Sequence, residues 1–263
     1  MTERDDRAMG STRSFCDDNA GTFAVVAAAA LAVASLVFHI ESWIDLALAR
    51  LFFDPASSVG PFPANADPVL RILREVGLKL PPLAMVLLGV VALAGLFRPG
   101  ARTPVSVRDA LWMLTTAALA NGLLVNLVLK EHWGRARPHQ TIEFGGAGVF
   151  TPAWTIGDAC ASNCSFVSGE AANAFWMLTA LCLVPAGYRA PAGAFLVVLA
   201  GTVAFNRVAF GGHYLSDVVL SGLMVLTIAA VLRLFFRPGG PRSADGNGFW
   251  RRLRAGYSAA AGD

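Results

Sequence analysis

The feature that most constrains the fold is a series of long apolar blocks. A helix needs about 20 apolar residues to cross the hydrocarbon core of a bilayer, where no water satisfies backbone polar groups. The chain is 55% hydrophobic and only 15% charged, a composition typical of polytopic membrane proteins. The sequence therefore predicts an all-α protein, a bundle of six transmembrane helices. The blocks cover residues 21–40, 80–97, 110–129, 169–188, 191–210 and 214–236.

Arginines between the blocks predict the orientation in the membrane. Positively charged residues accumulate in short cytoplasmic loops. Arginines crowd the loop after the second block, Arg189 follows the fourth, and more follow the sixth. Both termini are therefore expected in the cytoplasm, and the other loops face the outside. The arginines beside Arg189 that carry this prediction are Arg98, Arg102, Arg108, Arg237, Arg242, Arg251, Arg252 and Arg254.

The predicted transmembrane domain lies between two tails. Residues 1–20 carry four aspartates and predict a disordered cytoplasmic tail, and residues 237–263 predict a cytoplasmic C-terminal tail. Residues 21–236 form the domain itself, with its polar motifs in 110–236. The outer segment 41–79 is either a solvated connector or a lid over a substrate. The net charge of +3 is small and the arginines lie in short loops, so no nucleic-acid partner is predicted.

The first polar motif lies in residues 206–217, where Arg207 and His213 interrupt an apolar run. An arginine at the centre of a membrane helix costs roughly 2.5–3.5 kcal/mol on insertion scales, so its presence marks a site. His213 and Asp217 are four residues apart, which places both on one helix face, where the carboxylate orients the imidazole. This spacing indicates a nucleophile or a general base. A helix-capping histidine with Asp217 as a surface partner is the alternative.

Two further stretches are polar. Lys130, Arg135 and Arg137 are expected at the outer mouth of the bundle, where guanidinium groups suit a phosphate; a positively charged membrane stop is the alternative. Ser168 and Gly169 begin a helix, where a hydroxyl and free amides bind anions, although a plain N-cap fits equally. The predicted topology brings these stretches and residues 206–217 to the same membrane face.

Together the three stretches resemble the type 2 phosphatidic acid phosphatase superfamily. Its membrane members are six-helix lipid phosphatases, and its soluble members include vanadium haloperoxidases. The first family motif, Lys, six residues, Arg-Pro, is matched by Lys130 and Arg137-Pro138. The third, Arg, five residues, His, three residues, Asp, is matched by Arg207, His213 and Asp217. The resemblance covers roughly residues 110–236.

The resemblance implies a role for each matched residue. His213 would attack phosphorus to give a phosphohistidine, and Asp217 would orient it. No cofactor and no metal are implied, and the outer loops offer no convincing metal-ligand set. The phosphoryl oxygens would be bound by Lys130, Arg137, Arg207, Ser168 and the backbone amide of Gly169.

The second family motif departs from the family pattern. The family has Pro-Ser-Gly-His, whereas this chain has a glutamate, Glu170, in place of the histidine that protonates the leaving oxygen. Burial would raise the pKa of a carboxyl and allow it to act as the acid, but neighbouring cations would lower it. The sequence leaves three options open: Glu170 as the acid, His132 or His139 as its substitute, or a leaving group that needs no proton.

The resemblance implies a metal-independent membrane lipid phosphatase of the bacterial inner membrane, with its site facing the periplasm. The glutamate is similar to that of some bacterial relatives grouped with lipid A phosphatases. Lipid A and undecaprenyl diphosphate are favoured over phosphatidic acid, because anomeric phosphates and anhydrides leave more readily than simple alkoxides. The alternatives are a lipid-to-lipid phosphotransferase and a non-catalytic phosphate- or lipid-binding protein. Membrane lipids are the expected partners, and no oligomeric state is predicted.

The cysteines form no metal-ligand array. Cys160 and Cys164 lie four apart in the outer loop and are expected either as a disulfide, in an oxidising periplasm, or as two free thiols. Cys182 is interpreted as a packing residue within an apolar block.

Overall fold

The computed structural model describes residues 3–97, 103 and 105–236, with side chains from Phe15 onward. The regular elements in these ranges are helices, which confirms the predicted all-α membrane protein. The predicted C-terminal tail at 237–263 lies outside the described residues, as do Arg98 and Arg102. The α-helices are α1 Glu3–Ile40, α2 Trp43–Arg50, α3 Pro68–Phe97, α4 Val107–Thr116, α5 Lys130–His132, α6 Gly169–Trp176, α7 Arg189–Ala209 and α8 Leu215–Phe236.

Five helical segments within the described ranges are long and apolar enough to span a membrane. The third of them is continuous because a π-helical stretch, Ala117–Leu129, joins α4 to α5. Large apolar side chains cover the outer surfaces of α1 and α3, for example Val33 and Val90, as expected of helices that face lipid. The five segments are Phe15–Ile40, Pro68–Phe97, Val107–His132, Ala186–Ala209 and Leu215–Phe236.

The remaining predicted block, residues 169–188, folds differently from a plain span. Helix α6 has eight residues and is followed by a 3-10 helix, Met177–Leu183, of seven. At 1.5 and 2.0 Å per residue the two would cover about 26 Å, less than the ~30 Å of a bilayer core. The segment begins beside α8 and ends at Cys182, which is disulfide-bonded to Cys16 near the start of α1. The number of spans, predicted as six, stays a prediction.

The end of the bundle near this disulfide is closed by buried ion pairs. The Arg233 guanidinium binds Asp17 at 2.8 Å and Asp109 at 2.7 Å, which ties α8 to α1 and α4. Two expectations need correction here. Helix α1 begins at Glu3, so the segment expected to be a disordered tail is helical from that residue. Cys182 forms a disulfide and is more than a packing residue.

The segment between the first two predicted blocks packs into the protein. Helix α2 lies within it, and α3 begins at Pro68, well before the predicted start at residue 80. Asp45 of α2 is fully buried and accepts a hydrogen bond of 2.8 Å from the backbone N–H of Ser216 in α8. The segment is therefore part of the helix packing that supports the polar end of the bundle.

Candidate active site

The three polar stretches meet at the end of the bundle opposite the Arg233 cluster. The turn between α7 and α8 carries His213, and the loop before α6 runs beside it. The N–H of Ser168 donates to the Asp217 carbonyl at 3.1 Å, and Arg207 lies 3.3 Å from Glu170. All eight predicted site residues are brought into this region. They are Lys130, Arg137, Ser168, Gly169, Glu170, Arg207, His213 and Asp217.

His213 is buried, with 1% of its surface exposed, in a tight turn. Gly211 has a left-handed φ of +63°, which favours glycine, and a Cβ on Gly212 would lie 2.4 Å from Arg207 Nη2 and displace that guanidinium group. Nδ1 of His213 lies 2.8 Å from the Ser165 carbonyl oxygen but 3.7 Å from Asp217 Oδ2. A carbonyl oxygen only accepts, so Nδ1 carries the proton, and Nε2 of the neutral ring holds the free lone pair.

The electrostatic surroundings keep this imidazole neutral. Burial lowers the pKa of His213 to about 4, and the positive charge of Arg207 acts in the same direction, while Asp217 opposes both. A neutral ring with its unprotonated Nε2 is the form in which histidine acts as a nucleophile. The expectation that Asp217 orients His213 stays a prediction, and the closer contact of Nδ1 is the backbone carbonyl of Ser165.

Asp217 belongs to a buried charge network behind the histidine. It accepts hydrogen bonds from Arg135 Nη1 at 2.6 Å, from the Ser165 hydroxyl and from the Tyr214 N–H at 2.9 Å. Arg135 is fully buried and also binds Asp45 at 2.8 Å. The expectation that Arg135 lies at the mouth beside Lys130 and Arg137 is therefore wrong. A buried guanidinium needs carboxylate partners, and Asp45 and Asp217 provide them here.

Lys130 and Arg137 converge on one residue that the sequence reading missed. Lys130 Nζ donates to Asn163 Oδ1 at 3.0 Å, and Arg137 Nη2 donates to the carbonyl oxygen of Asn163 at 2.8 Å. Asn163 adopts a left-handed φ of 50°, which asparagine tolerates better than most residues. It lies inside the loop that the Cys160–Cys164 disulfide closes, so the structure has the disulfide rather than two thiols. In the sequence, the pair of cysteines on either side of Asn163 is the feature that could have pointed to this residue.

Ser168 and Gly169 begin α6 beside Lys130. The Ser168 hydroxyl accepts from the Ala171 N–H at 3.3 Å, which is the N-cap interaction, and its own hydrogen remains available to a ligand. A Cβ on Gly169 would lie 3.1 Å from Asn126 Oδ1 and 3.5 Å from Lys130 Cε. The Lys130 side chain therefore lies against the start of the helix, and a side chain at residue 169 would crowd Asn126.

Glu170 forms ion pairs with two arginines. Arg74 of α3 reaches both carboxylate oxygens, with Nε at 3.2 Å and Nη2 at 3.0 Å, and Arg207 Nε lies 3.3 Å away. Two guanidinium groups at these distances favour the ionised carboxylate, so the geometry disfavours Glu170 as a proton donor. Of the two alternative acids, both exposed, His139 contacts the His213 turn through Nδ1, 2.8 Å from the Gly211 carbonyl oxygen, whereas His132 lies at the end of α5.

The described ranges contain no group of three or more His, Cys, Asp or Glu side chains arranged to hold a metal ion. The site combines a buried, neutral histidine with cationic side chains. Arg207 and Arg137 both act electrostatically on His213. Cations held in a desolvated position stabilise an anion, and the negative charge that develops on it, more strongly than cations in water do.

Comparisons with known proteins show the family to which the chain is similar. A family profile described as PAP2 superfamily matches residues 109–239. Lipid A 4'-phosphatase of Rhizobium leguminosarum is 38% identical over 207 residues, 74% of this chain and 88% of the relative. That of Rhizobium etli is 37% identical over 210 residues (74% and 80%), and that of Francisella tularensis subsp. novicida is 31% identical over 206 residues (77% and 90%). No solved structure matches the chain.

Proposed function

The chain belongs to the PAP2 superfamily, and from this premise we propose that it is a membrane phosphatase that removes a phosphate group from a lipid A-type glycolipid. The relatives are lipid A 4'-phosphatases by name, which supports lipid A over undecaprenyl diphosphate as the substrate and the 4' phosphate in particular. The positive-inside pattern supports a bacterial inner-membrane location with cytoplasmic termini and the site on the periplasmic side.

The observation that carries the proposal is the contact of 2.8 Å between His213 Nδ1 and the Ser165 carbonyl. It leaves Nε2 as the free lone pair beside Arg207 and Arg137. In the first step Nε2 attacks phosphorus, an N–P bond forms, and the P–O bond to the sugar breaks. In the second step water attacks the phosphohistidine, the N–P bond breaks, and inorganic phosphate leaves. His213 returns to its neutral form, and Asp217 stabilises the positive charge that the ring carries in between.

If the 4' phosphate is the one removed, the leaving oxygen has to be protonated. The 4' position is not the anomeric carbon of the sugar, so the departing oxygen is an ordinary alkoxide that needs a proton. Glu170 is held as a carboxylate by two arginines, which leaves His139 or a water molecule as the donor. His139 is the better placed of the two histidines because it contacts the same turn as His213.

The experiment that tests the proposal is phosphate release by purified protein in detergent with EDTA present. Lipid A, undecaprenyl diphosphate and phosphatidic acid serve as substrates, and His213→Gln is the companion variant because its side chain is close in size. We expect release from lipid A that disappears in the variant, with an unchanged size-exclusion profile. Phosphate release by the variant would refute His213 as the nucleophile.

Two results would point to the alternatives. If phosphate appears on an added acceptor lipid rather than in solution, the protein is a lipid-to-lipid phosphotransferase. If the protein binds phosphate but turns over none of the three lipids, it is a binding protein that has retained the cationic site.

A further inference from the structure

We infer that Arg74 is an additional phosphate-binding residue of this site, and that Glu170 is a positioning residue that holds Arg74 and Arg207. The inference rests on the proposed function and deepens it. Arg74 lies on α3, outside the segment matched by the family profile, which begins at residue 109. The site is therefore completed by a helix from the other half of the chain.

The position of Arg74 is fixed by packing on either side of it. One turn earlier, the Leu70 carbonyl accepts from Asn206 Nδ2 of α7 at 2.7 Å. One turn later, Gly77 lies so close to α7 that a Cβ there would be 2.6 Å from a Val203 methyl carbon. Residues 70, 74 and 77 share one helix face, so α3 is held against α7 around Arg74. The arginine is thereby placed at the site by the fold.

The ion pair leaves Arg74 with donors to spare. Nε and Nη2 bind Glu170, whereas a guanidinium carries five N–H donors, and 36% of this side chain is exposed. Arg207 also has N–H donors that Glu170 does not use. It is buried, and its Nε lies 3.3 Å from Glu170 without the geometry of a hydrogen bond. Both arginines can bind further oxygens while Glu170 keeps them in place.

The charge balance indicates the class of ligand. In the part of the chain that the structure describes, Arg74, Lys130, Arg137 and Arg207 lie around Glu170, while Asp217, which also acts on Lys130 and Arg137, is already paired with Arg135. A phosphate monoester carries close to two negative charges at neutral pH and offers several oxygens to planar guanidinium forks. The surplus of positive charge therefore suits a monoester dianion better than a diester.

Phosphate binding tests the role of Arg74 without turnover. Inorganic phosphate is titrated calorimetrically into the full-length protein and into Arg74→Ala, Arg74→Lys and Arg71→Ala. Arg71 lies almost one turn away on the same helix and is exposed, so its variant is the matched control. We expect Arg74→Ala to weaken phosphate binding by about tenfold or more, Arg74→Lys by less, and Arg71→Ala by less than about twofold. Unchanged binding in a folded Arg74→Ala protein would overturn the assignment.

A leaving-group series tests the role of Glu170. Phosphate esters of nitrophenyl and alkyl alcohols are compared for the parent and for Glu170→Gln. If Glu170 is a positioning residue, Glu170→Gln should lower kcat/KM equally for both esters. The arginines are displaced in the variant regardless of which group leaves. The double variant Arg74→Ala, Glu170→Gln should then lose less kcat/KM than the losses of the two single variants combined. Slowing confined to alkyl esters would show that Glu170 donates the proton and would overturn the inference.

The outcomes separate this inference from the proposed function. Phosphate binding that depends on Arg74 in a protein that hydrolyses none of the lipids would refute the phosphatase proposal alone. Lipid hydrolysis that depends on His213, with phosphate binding indifferent to Arg74, would refute the inference alone.

Discussion

The two ends of the helix bundle both contain arginines in ion pairs, but they balance the charge differently. At one end Arg233 lies between Asp17 and Asp109, with Arg108 at 3.4 Å from Asp17. At the other end Arg74 and Arg207 share the single carboxylate of Glu170. A cation paired with carboxylates holds helices together, whereas a surplus of cations can bind an incoming anion. The comparison separates structural arginines from ligand-binding ones by their partners.

Arg135 is the sharpest test of this distinction, because it lies near the site yet has carboxylate partners as Arg233 does. Arg135→Ala leaves Asp45 and Asp217 buried and unpaired. We expect it to lower the free energy of unfolding by about 3–5 kcal/mol and to abolish activity as well. Thermal unfolding in detergent measures the first effect. A variant of normal stability that merely lost phosphate affinity would place Arg135 with the ligand-binding group.

Arg207 and Arg233 should respond in opposite ways to the same substitution. Lysine keeps the charge but loses the planar fork. Arg207→Lys should reduce kcat/KM by about 10²-fold or more with little change in the unfolding temperature. Arg233→Lys should lower the unfolding temperature while kcat/KM per folded molecule stays within about twofold. Activity and thermal unfolding are measured for both variants. If both lose activity and neither loses stability, the distinction between structural and ligand-binding arginines is refuted.

The pH dependence should separate His213 from an ordinary histidine. Burial lowers its pKa from 6.5 to about 4, so the ring stays neutral and nucleophilic through the range in which a free histidine becomes protonated. The kcat/KM should therefore show no loss from protonation of this ring near pH 6.5 and should fall about tenfold per pH unit below about 4. Between pH 6.5 and about 4 the unfolded chain takes up a proton that the folded one does not, so stability should fall as pH is lowered across this range. A kcat/KM measured from pH 3.5 to 8 and corrected for protonation of the substrate phosphate would contradict this assignment if it fell through 6.5 in step with an ordinary histidine.

The two disulfides give the smallest expected contrast, because neither lies among the reacting groups. Loss of Cys160–Cys164 in a double serine variant frees the loop that carries Asn163, and we expect kcat/KM to fall by several-fold. Loss of Cys16–Cys182 should lower the unfolding temperature with no change in kcat/KM. That second bond lies at the predicted cytoplasmic end, where thiols are usually kept reduced. Because the bond is formed in the structure, the purified native protein should resist alkylation at Cys16 and Cys182, and a change in activity on loss of the bond would weaken the contrast.

Much of the membrane architecture could be predicted because its signals are local. Apolar blocks of spanning length mark the helices wherever they lie, and five of the predicted blocks correspond to candidate spans in the structure. The broken helix at 169–188 was less predictable. It is enclosed by other helices, and their packing leaves no pattern in the sequence of the block itself. The long extension of α3 back to Pro68 was missed because residues 68–79 are not uniformly apolar.

The sequence by itself determined which residue types meet at the site. The fixed spacings of Lys130 to Arg137, and of Arg207 to His213 and Asp217, identified the family resemblance, and the topology placed them on one face. These features are carried by residue identity and by distance along the chain. They can therefore be recognised from the sequence alone.

Only the tertiary structure decided what each group does there. Arg135 and Arg137 are the same residue type two positions apart, yet one binds buried carboxylates and the other reaches Asn163. The partner of His213 Nδ1 is a backbone carbonyl, which every residue has, so no side chain signals it. Whether burial or the cations would dominate at Glu170 depended on Arg74, a residue 96 positions away. Hydrogen bonds and charge pairs depend on distances in space, and packing of the whole chain sets those distances.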